Sequence, residues 1–413
     1  MRFFHLSDLH IGKQLHYYSL KENQKAILKQ IVERAKEYRP DAILICGDIF
    51  DKSVPSGEAY TVFDEFLNML SDLQPRIPVL MIAGNHDNPQ RLSYAKAFLE
   101  KHQFYMSVFP PAQEEEHLKK VTLEDAWGKV NFYLLPFLKP GYVRHLFPEG
   151  TITDYNSAVE RLLEREGLDA KQLGKGEFIF SEEGETAVSK GVKCGEAAER
   201  HVLLSHQFYV NGEKQPEVCD SEQRMLQVGG LDSVEASLVE HFDYVALGHI
   251  HGAQKVKTPH IRYCGTPLKY SVSEEHHKKS ITLVTLEEKG KEPLIETIPL
   301  MPIQEVRREK GTLDEIIERA TEENCHDFIS VTITDEQERF HPMEQLQEKY
   351  DYILELRGDN RRTRAMTQLV EGEELELNPM EVFAGFYQEM QKQPMNEEEK
   401  KLMTDIINGL EEE

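Results

Sequence analysis

Five short apolar runs in this sequence end in Asp, Asn or His, which are residue types that can bind metal ions. The residues that follow the runs are Ser7-Asp8-Leu9-His10, Gly47-Asp48, Gly84-Asn85-His86-Asp87, Ser205-His206 and Gly248-His249-Ile250-His251. A turn needs Gly and Asn or Asp, because these residues tolerate unusual backbone angles, but it does not need histidine. Ligands bind at the carboxyl ends of the strands in an open α/β sheet, so we expect these side chains to converge.

The donor atoms indicate which ions this cluster would bind. Carboxylate oxygen, amide oxygen and neutral imidazole suit borderline divalent ions such as Mn²⁺, Fe²⁺ or Zn²⁺. The set holds more ligands than one tetrahedral ion needs, so two ions are favoured. In Asp8-x-His10 and His249-x-His251, the two-residue period of a strand places both ligands on the same side. Two ions about 3.5–4 Å apart stabilise the attacking and leaving oxygens of a phosphoryl displacement, so the pattern predicts phosphoester hydrolysis.

Each motif taken alone has an ordinary structural interpretation. A Gly-Asp pair after a strand is usually a turn, and the stretch from Asn85 to Pro89 could be a capped turn before a helix. An isolated D-x-H or H-x-H also rarely marks a metal site. The joint occurrence of all five motifs at strand ends favours the metal centre over these interpretations.

The elements that would position these residues follow an α/β layered pattern. The predicted strands are Phe3–Leu6, Ala42–Cys46, Val79–Ala83, Val130–Leu135, Val202–Leu204 and Tyr244–Leu247. The predicted helices are Glu22–Tyr38, Gly57–Leu73 and Tyr155–Glu166. Four more β segments, at 253–256, 261–264, 281–286 and 294–299, follow one another without helices and predict an antiparallel second sheet. We therefore expect a two-sheet β-sandwich flanked by helices.

The length of the chain predicts more than one domain. We expect the sandwich at residues 1–300, a small α+β capping domain of β-α-β-α-β order at 301–376, and C-terminal helices at 377–413. Residues 167–200, rich in Gly, Glu and Lys, are predicted to form an excursion. The tail places several apolar residues on one helical face: Val382, Phe383, Phe386, Tyr387 and Met390. That face could pack on its own domain or dock into a groove of a partner.

Composition narrows the class of protein. Hydrophobic residues make up 39% of the chain, which is sufficient for real cores, yet the sequence contains no apolar run long enough to span a membrane. The cysteines are scattered and form no C-x-x-C pair: Cys46, Cys194, Cys219, Cys264 and Cys325. This usage suits a reducing cytosol and argues against a disulfide scaffold and a thiolate zinc site. No secretory leader precedes the first strand, so we expect a cytoplasmic protein.

The charge balance limits how the chain could bind a nucleic acid. The 73 acidic and 48 basic residues give a formal net charge of −25, whereas phosphate contacts need clustered Lys and Arg. A phosphate ligand would therefore need bound cations, a local basic patch or a more basic partner. Two divalent ions would exceed the charge of Asp8 and Asp48 and supply a positive field. The basic residues that could contact the phosphate backbone of a nucleic acid are Lys13, Arg91, Lys139, Arg144 and the run 361–364.

The combination of motifs resembles the calcineurin-like metallophosphoesterases. D-x-H, G-D, G-N-H-D, a later lone histidine and G-H-x-H occur in that order. The stretches F-F-H-L-S-D-L-H-I-G-K, I-C-G-D-I-F-D-K and G-N-H-D-N-P-Q-R-L, and the segment Ile261–Glu274, are similar to a branch of DNA nucleases in that family. The resemblance covers about residues 1–300.

The resemblance implies a function in DNA repair, recombination and replication. It implies double-strand exonuclease and single-strand endonuclease activity with two divalent ions, Mn²⁺ first among them. It also implies homodimerisation, and a coiled-coil ATPase as partner, docked through the C-terminal helices.

The resemblance further implies a role for each site residue. One ion would be held by Asp8, His10, Asp48 and His251. The second ion would be held by Asp48, Asn85, His206 and His249, with Asp48 as the bridge. His86 would face the phosphate and stabilise the transition state or protonate the leaving oxygen, and we expect Asp87 to orient it. Some relatives carry a further histidine after G-D, where this chain has Asp51 and Lys52.

Three other functions are compatible with parts of the pattern. A cyclic-nucleotide phosphodiesterase of the same superfamily would keep the ligands but would not need the residues after Met301. A Ser/Thr protein phosphatase would be expected to carry G-D-x-V-D-R-G and G-N-H-E, which differ from the motifs here. A non-catalytic scaffold on this fold would usually lose ligands, and this chain retains them.

Overall fold

A computed structural model describes residues 1–173, 198–212, 214–222, 233–337 and 339–360, together with 383, 387, 395–396 and 399–403. Most of the predicted excursion, the basic run 361–364 and most of the predicted C-terminal helices lie outside the described residues. Among the helices that are described, none is long and apolar enough to cross a membrane.

The first sheet has six strands and carries three of the five predicted motifs. In spatial order they are β16 (Leu294–Pro299), β15 (Ser280–Thr285), β1 (Arg2–Leu6), β4 (Ala42–Cys46), β5 (Val79–Ile82) and β6 (Phe104–Ser107). The strands β1, β4, β5 and β6 are parallel, while β15 and β16 are antiparallel to their neighbours. The register pairs Leu6 with Ile45, and Cys46 with Ile82. The loops that leave β1, β4 and β5 therefore begin at the same edge.

The second sheet also has six strands. In spatial order they are β13 (Gln254–Lys255), β14 (Ile261–Tyr263), β12 (Tyr244–Leu247), β9 (Arg200–Ser205), β8 (Gly128–Leu135) and β7 (Lys119–Asp125). The four central strands are parallel, and only the edge strands β13 and β7 are antiparallel to their neighbours among the described strands of this sheet. The prediction of an antiparallel second sheet is wrong. After β12 the chain passes through the edge strand β13 and returns as β14, parallel to β12, while β15 and β16 join the first sheet.

Helices cover the outer faces of the two sheets. The helices before the C-terminal region are α1 (Lys21–Tyr38), α2 (Gly57–Ser71), α3 (Pro89–Leu92), α4 (Lys96–Glu100), α5 (Pro140–Val143), α6 (Tyr155–Arg165) and α7 (Ala170–Leu173). Apolar residues of α1 and α2 pack on the first sheet, and those of α5 and α6 pack on the second. Two short pairs of strands lie outside these sheets: β2 (Gln14–Leu15) pairs with β3 (Tyr18–Ser19), and β10 (Phe208–Val210) pairs with β11 (Ser233–Glu235).

The alternation of side chains along β4 shows how the layers are built. Ala42, Leu44 and Cys46 point into a core that lies between the two sheets and includes Phe132 and Leu204. The intervening isoleucines belong to the core beneath α1 and α2. Successive strand residues point to opposite faces, so a strand buried on both faces must be apolar throughout. The result is the predicted two-sheet sandwich flanked by helices, which confirms the fold class.

The C-terminal region has the predicted β-α-β-α-β order. Its elements are β17 (Val306–Gly311), α8 (Leu313–Glu318), β18 (Phe328–Ile333), α9 (Pro342–Gln347) and β19 (Tyr352–Gly358), and β18 is the central strand of their sheet. Helix α8 begins with a capping box between Thr312 and Glu315. The described residues divide into two compact units: one from 1–309, 320–330 and 347–355, and one from 310–319, 331–346 and the described residues from 356 onward. The domain boundaries at 300 and 376 remain predictions.

Candidate metal centre

The predicted ligands converge where the strands of both sheets end. Backbone hydrogen bonds extend each sheet beyond its strands, from Asp8 N–H to Gly47 O and from Gly248 N–H to Ser205 O. The two sheets are joined there because the His249 N–H donates to the Asp8 carboxylate at 3.0 Å. The seven residues brought together are Asp8, His10, Asp48, Asn85, His206, His249 and His251. That they bind ions remains a prediction.

One group of donors consists of Asp8, His10 and His251, whose ligand atoms lie within 4.8 Å of one another. His10 Nε2 is 3.9 Å from Asp8 Oδ1 and 3.7 Å from Asp48 Oδ2. Both ring nitrogens of His10 are buried, and neither has a hydrogen-bond partner in the described part of the chain. A buried polar atom without a partner is costly and indicates a missing ligand, so this donor set fits a cation.

A second group is centred on Asp48 and His206. His206 Nε2 is 3.4 Å from Asp48 Oδ2 and 3.1 Å from the amide oxygen of Asn85. On the other side of the ring, Nδ1–H donates to the Cys46 carbonyl at 2.6 Å. This hydrogen bond holds Nδ1 as a donor and directs Nε2 into the site, as in metal-binding histidines. His249 Nδ1 lies 3.0 Å from the same Asn85 oxygen and completes the group.

The backbone is strained where the ligands are presented. Four non-glycine residues here have positive φ angles: Asp8 (52°), His10 (41°), Asp48 (50°) and His249 (100°). Such conformations are unfavourable for residues with a side chain and persist only where the surrounding structure enforces them. Their concentration among the predicted ligands is typical of a functional site.

Two glycines allow the loops to approach each other. A Cβ atom on Gly248 would overlap the Cys46 carbonyl, and a Cβ on Gly84 would overlap Asp48. No larger residue fits either position without displacing a ligand or its support. The Gly-Asn and Gly-His pairs in the sequence therefore reflect close packing of backbone against backbone, as well as turn formation.

Burial and neighbouring charges determine the protonation of the cluster. Burial raises the pKa of Asp8, and the charge of Asp48 raises it further, although His206 opposes this. Burial would also raise the pKa of Asp48, but His206 lowers it well below the ordinary value by charge and by hydrogen bonding. In turn, burial would lower the pKa of His206, but Asp48 raises it to about 9. Two buried carboxylates thus share one imidazolium, an arrangement in which a cation is favourable.

His86 lies at the open side of the cluster. Its backbone N–H donates to Asp48 Oδ1 at 2.9 Å, and its Nδ1–H donates to the Asp51 carbonyl at 2.8 Å. The side chain is 28% exposed, whereas that of His10 is 2% exposed, so His86 is the more accessible to a substrate. The Asp51 side chain is 3.6 Å from His10 Nδ1 and 2.8 Å from Lys13 Nζ. Lys13 is therefore engaged by a carboxylate.

The Asp87 carboxylate accepts its hydrogen bonds from backbone groups in the described part of the chain. Its Oδ2 accepts hydrogen bonds from the backbone N–H groups of Gly84 (2.9 Å) and Ile49 (3.1 Å), and its Oδ1 accepts one from Phe50 (2.9 Å). The carboxylate thus joins the loops after β4 and β5. The ring of His86 is held by the Asp51 carbonyl, and the expectation that Asp87 orients it remains a prediction.

The structure adds a buried polar network behind His251 that sequence reasoning missed. The His251 backbone N–H donates to Glu222, and its Nδ1 lies 3.0 Å from Ser221 Oγ and 3.5 Å from Glu274 Oε1. Glu274 also pairs with Lys279 at 2.5 Å. Such contacts orient a metal-binding histidine. Glu222 occurs in C-D-S-E, which has no distinctive spacing, so no sequence signal pointed to it.

Comparisons with known proteins agree with this arrangement. Residues 1–253 match the calcineurin-like phosphoesterase family, and residues 302–391 match the Type 5 capsule protein repressor C-terminal domain. A relative from Staphylococcus epidermidis, the SbcD subunit of nuclease SbcCD, is 30% identical over 358 residues, which cover 86% of this chain and 85% of the relative. The solved structure of GAP50, the anchor in the inner membrane complex of Plasmodium, covers 73% of this chain and 89% of its own. Its identity of 13% and TM-score of 0.37 are too low to support an inference.

The family match covers more than half of the chain and includes the five strand-end motifs through His251. These motifs are the residues on which the predicted resemblance depended, and in the structure they meet at one edge of two stacked sheets. The chain therefore belongs to the calcineurin-like phosphoesterase family.

Proposed function

We propose that this protein is a metal-dependent DNA nuclease and the nuclease subunit of an SbcCD-type complex. The observation that carries the proposal is the convergence of seven oxygen and imidazole donors at the sheet edge. The similarity to the SbcD subunit of nuclease SbcCD over 86% of the chain supports DNA as the substrate. Double-strand exonuclease and single-strand endonuclease activities are the reactions we expect.

The donors divide into two ligand sets around a shared carboxylate. Asp8, His10, Asp48 and His251 would hold one ion, and Asp48, Asn85, His206 and His249 would hold the other. Bound ions would activate a water molecule and neutralise the charge of the phosphodiester. We propose Mn²⁺ for both positions, since these ligands are nitrogen and oxygen donors without thiolate.

His86 is the residue we assign to the phosphate. Its Nδ1–H is held by the Asp51 carbonyl, so the ring presents its Nε2 edge away from that contact. In its imidazolium form the ring can donate from Nε2 to a phosphate oxygen or protonate the leaving oxygen, and it then becomes a neutral imidazole. Removal of a general acid of this kind typically lowers the rate by about 10²–10⁴-fold. Asp87 supports this histidine only indirectly, through the loops that it joins.

The assembly is also proposed. We infer a homodimer and an SbcC-type coiled-coil ATPase partner, which fits an acidic chain that needs a more basic partner to bind DNA. Residues 377–413 would form the docking helices, after a capping domain at 301–376 and the nuclease domain at 1–300. A cytoplasmic location and roles in DNA repair, recombination and replication belong to the same proposal.

The direct test is cleavage of several substrates by the purified protein with Mn²⁺ and with EDTA. We expect metal-dependent cleavage of linear duplex DNA and of single-stranded circles. Preferential hydrolysis of a cyclic nucleotide or a phosphopeptide would favour the other family activities, and no hydrolysis would favour a scaffold. Asp48→Ala should lose bound metal and cleavage together, whereas His86→Ala should keep two ions and lose cleavage.

Matched variants at exposed positions control for effects of substitution that do not involve the site. Asp64→Ala removes an exposed carboxylate of α2, and His276→Ala removes an exposed imidazole; both should keep metal content and cleavage. Normal nuclease activity in Asp48→Ala would refute the two-ion mechanism. Loss of metal in His86→Ala would instead assign that histidine to the ligand set.

A further inference from the structure

A second cluster of metal-binding side chains lies behind the candidate metal centre. Cys219, Glu274 and His277 place a sulfur, a carboxylate oxygen and an imidazole nitrogen within 4.8 Å of one another. Cys219 and His277 also line a cavity of about 310 Å³. The cluster does not form a C-x-x-C pattern, because it contains a single cysteine.

His277 provides an independent indication of a missing ligand. Its Nδ1 is buried and has no hydrogen-bond partner among the residues that the structure describes. The residue is held in place because its backbone N–H donates to the Glu274 carbonyl at 2.8 Å. A buried imidazole nitrogen without a partner, next to a thiol and a carboxylate, has the surroundings of a metal ligand.

Cys219 is positioned by its backbone. Its N–H donates to Glu222 at 2.5 Å, and the residue is 6% exposed. Burial raises the pKa of its thiol, and the charges of Glu274, Glu222 and Asp220 raise it further, whereas Lys279 lowers it. A cation bound here would displace the thiol proton to solvent and stabilise the thiolate.

Lys279 must be reconciled with a cation nearby. Its ammonium donates to Glu274 Oε2 at 2.5 Å, to Thr266 Oγ1 at 2.6 Å and to the His251 carbonyl at 3.1 Å. These three acceptors fix the ammonium on one oxygen of the carboxylate. The second oxygen, Oε1, accepts hydrogen bonds from the Tyr270 N–H and from Ser271 Oγ, both at 3.1 Å. A bound ion would share this oxygen with those two donors.

We propose that Cys219, Glu274 and His277 bind one Zn²⁺ ion, with a water from the cavity as the fourth ligand. A thiolate, an imidazole and a carboxylate are donors that Zn²⁺ accepts in tetrahedral geometry, whereas Mg²⁺ and Mn²⁺ prefer oxygen-rich sites. The proposal does not depend on the nuclease activity. It revises the expectation, based on cysteine spacing, that the chain lacks a thiolate zinc site.

The test uses Co²⁺ as a spectroscopic probe on the full chain in excess Mn²⁺. Thiolate ligation gives an intense charge-transfer absorption in the near ultraviolet, which the oxygen and imidazole donors of the candidate metal centre cannot give. We expect this band to grow to one equivalent of Co²⁺ and to disappear when Zn²⁺ is added. Cys219→Ser should abolish the band, and His277→Gln should weaken Co²⁺ binding by about tenfold or more.

Cys325→Ser and His276→Gln are the matched controls, and circular dichroism confirms that each variant is folded. Cys325 is another free thiol, and His276 is the exposed neighbour of His277, so both variants should bind Co²⁺ like the original protein. The absence of a charge-transfer band in the original protein would overturn the proposal. So would a band that persists in Cys219→Ser.

Discussion

The contacts of Asp87 lead to a prediction about stability that can be worked out in detail. Its carboxylate accepts three backbone N–H bonds, from Gly84 and Ile49 at Oδ2 and from Phe50 at Oδ1. The amide of Asp87→Asn has only one oxygen. The better orientation keeps that oxygen on Gly84 and Ile49 and turns the NH₂ group toward the Phe50 N–H. One buried donor then loses its acceptor and faces another donor.

The expected loss in the free energy of unfolding follows from the number of hydrogen bonds that the substitution removes. Leaving one buried backbone donor unsatisfied costs about 1–3 kcal/mol, and the bonds that remain are weakened because the acceptor is no longer charged. We therefore expect Asp87→Asn to lower the free energy of unfolding by about 2–4 kcal/mol. Asp87→Ala would leave three donors unsatisfied and could consume most of a total stability of about 5–15 kcal/mol. The asparagine variant is thus the informative one.

Urea unfolding in EDTA measures this effect without a contribution from metal binding. The control is Asp64→Asn, an exposed change in α2 that should alter the free energy of unfolding by less than about 0.5 kcal/mol. If Asp87 served only to orient His86, its asparagine variant would lose cleavage but unfold like the original protein. Equal urea midpoints for the two proteins would therefore refute the role of Asp87 in joining the two loops.

Three further predictions concern other parts of the same unit. Gly248→Ala should lower both the melting temperature and the metal affinity, because the added Cβ has no space. Gly57→Ala is the control and should be neutral, since nothing lies within 4 Å of its added Cβ. Calorimetry of both variants tests this difference. Burial would raise the pKa of Asp125, but hydrogen bonds from the buried Arg200 lower it from 3.8 to about 2. This carboxylate therefore stabilises the fold above pH 3.8, and the stabilisation is lost as the pH falls toward 2. Thermal unfolding of Asp125→Asn should show less loss of stability across that interval, and an unchanged pH profile would contradict the assignment. Asp51→Asn should weaken metal binding about tenfold, because the carboxylate faces His10 Nδ1 at 3.6 Å; unaltered affinity by titration calorimetry would show that this contact is incidental.

The strands that present the ligands could be predicted because they are buried on both faces. β4 and β12 have the predicted bounds, Ala42–Cys46 and Tyr244–Leu247, since uninterrupted apolar runs between turn residues leave little ambiguity. The convergence of the ligands was also predictable, as parallel strands end at a common edge. What the apolar pattern could not specify was strand direction in the second sheet. β14 is short, and its pairing with β12 depends on a return through an edge strand rather than on its own residues.

The supporting residues were less predictable for a different reason. Asp51 holds His86 through its backbone carbonyl, and any residue type could supply that acceptor. Glu222 acts on His251 from a segment whose sequence resembles an ordinary polar loop. Glu274 lies in a segment that carried the family resemblance, but its contact with His251 had no sequence signal of its own. A ligand set is recognisable because its chemistry restricts each position to a few residue types. A supporting contact to the backbone imposes a much weaker restriction on sequence.

Three glycines explain how the predicted ligands come close together. Gly47, Gly84 and Gly248 each precede a predicted ligand, and in each case an added Cβ would overlap another strand-end loop or His206. Side chains normally hold two stacked sheets about 10 Å apart, whereas the predicted ligands come from both sheets. At Gly47 and Gly248 the missing side chain lets loops of the two sheets approach, and at Gly84 it makes room for Asp48 of the neighbouring strand. The recurring Gly-Asp, Gly-Asn and Gly-His pairs are thus a physical consequence of bringing several strand-end loops together, and their recurrence made the candidate site recognisable in a single sequence.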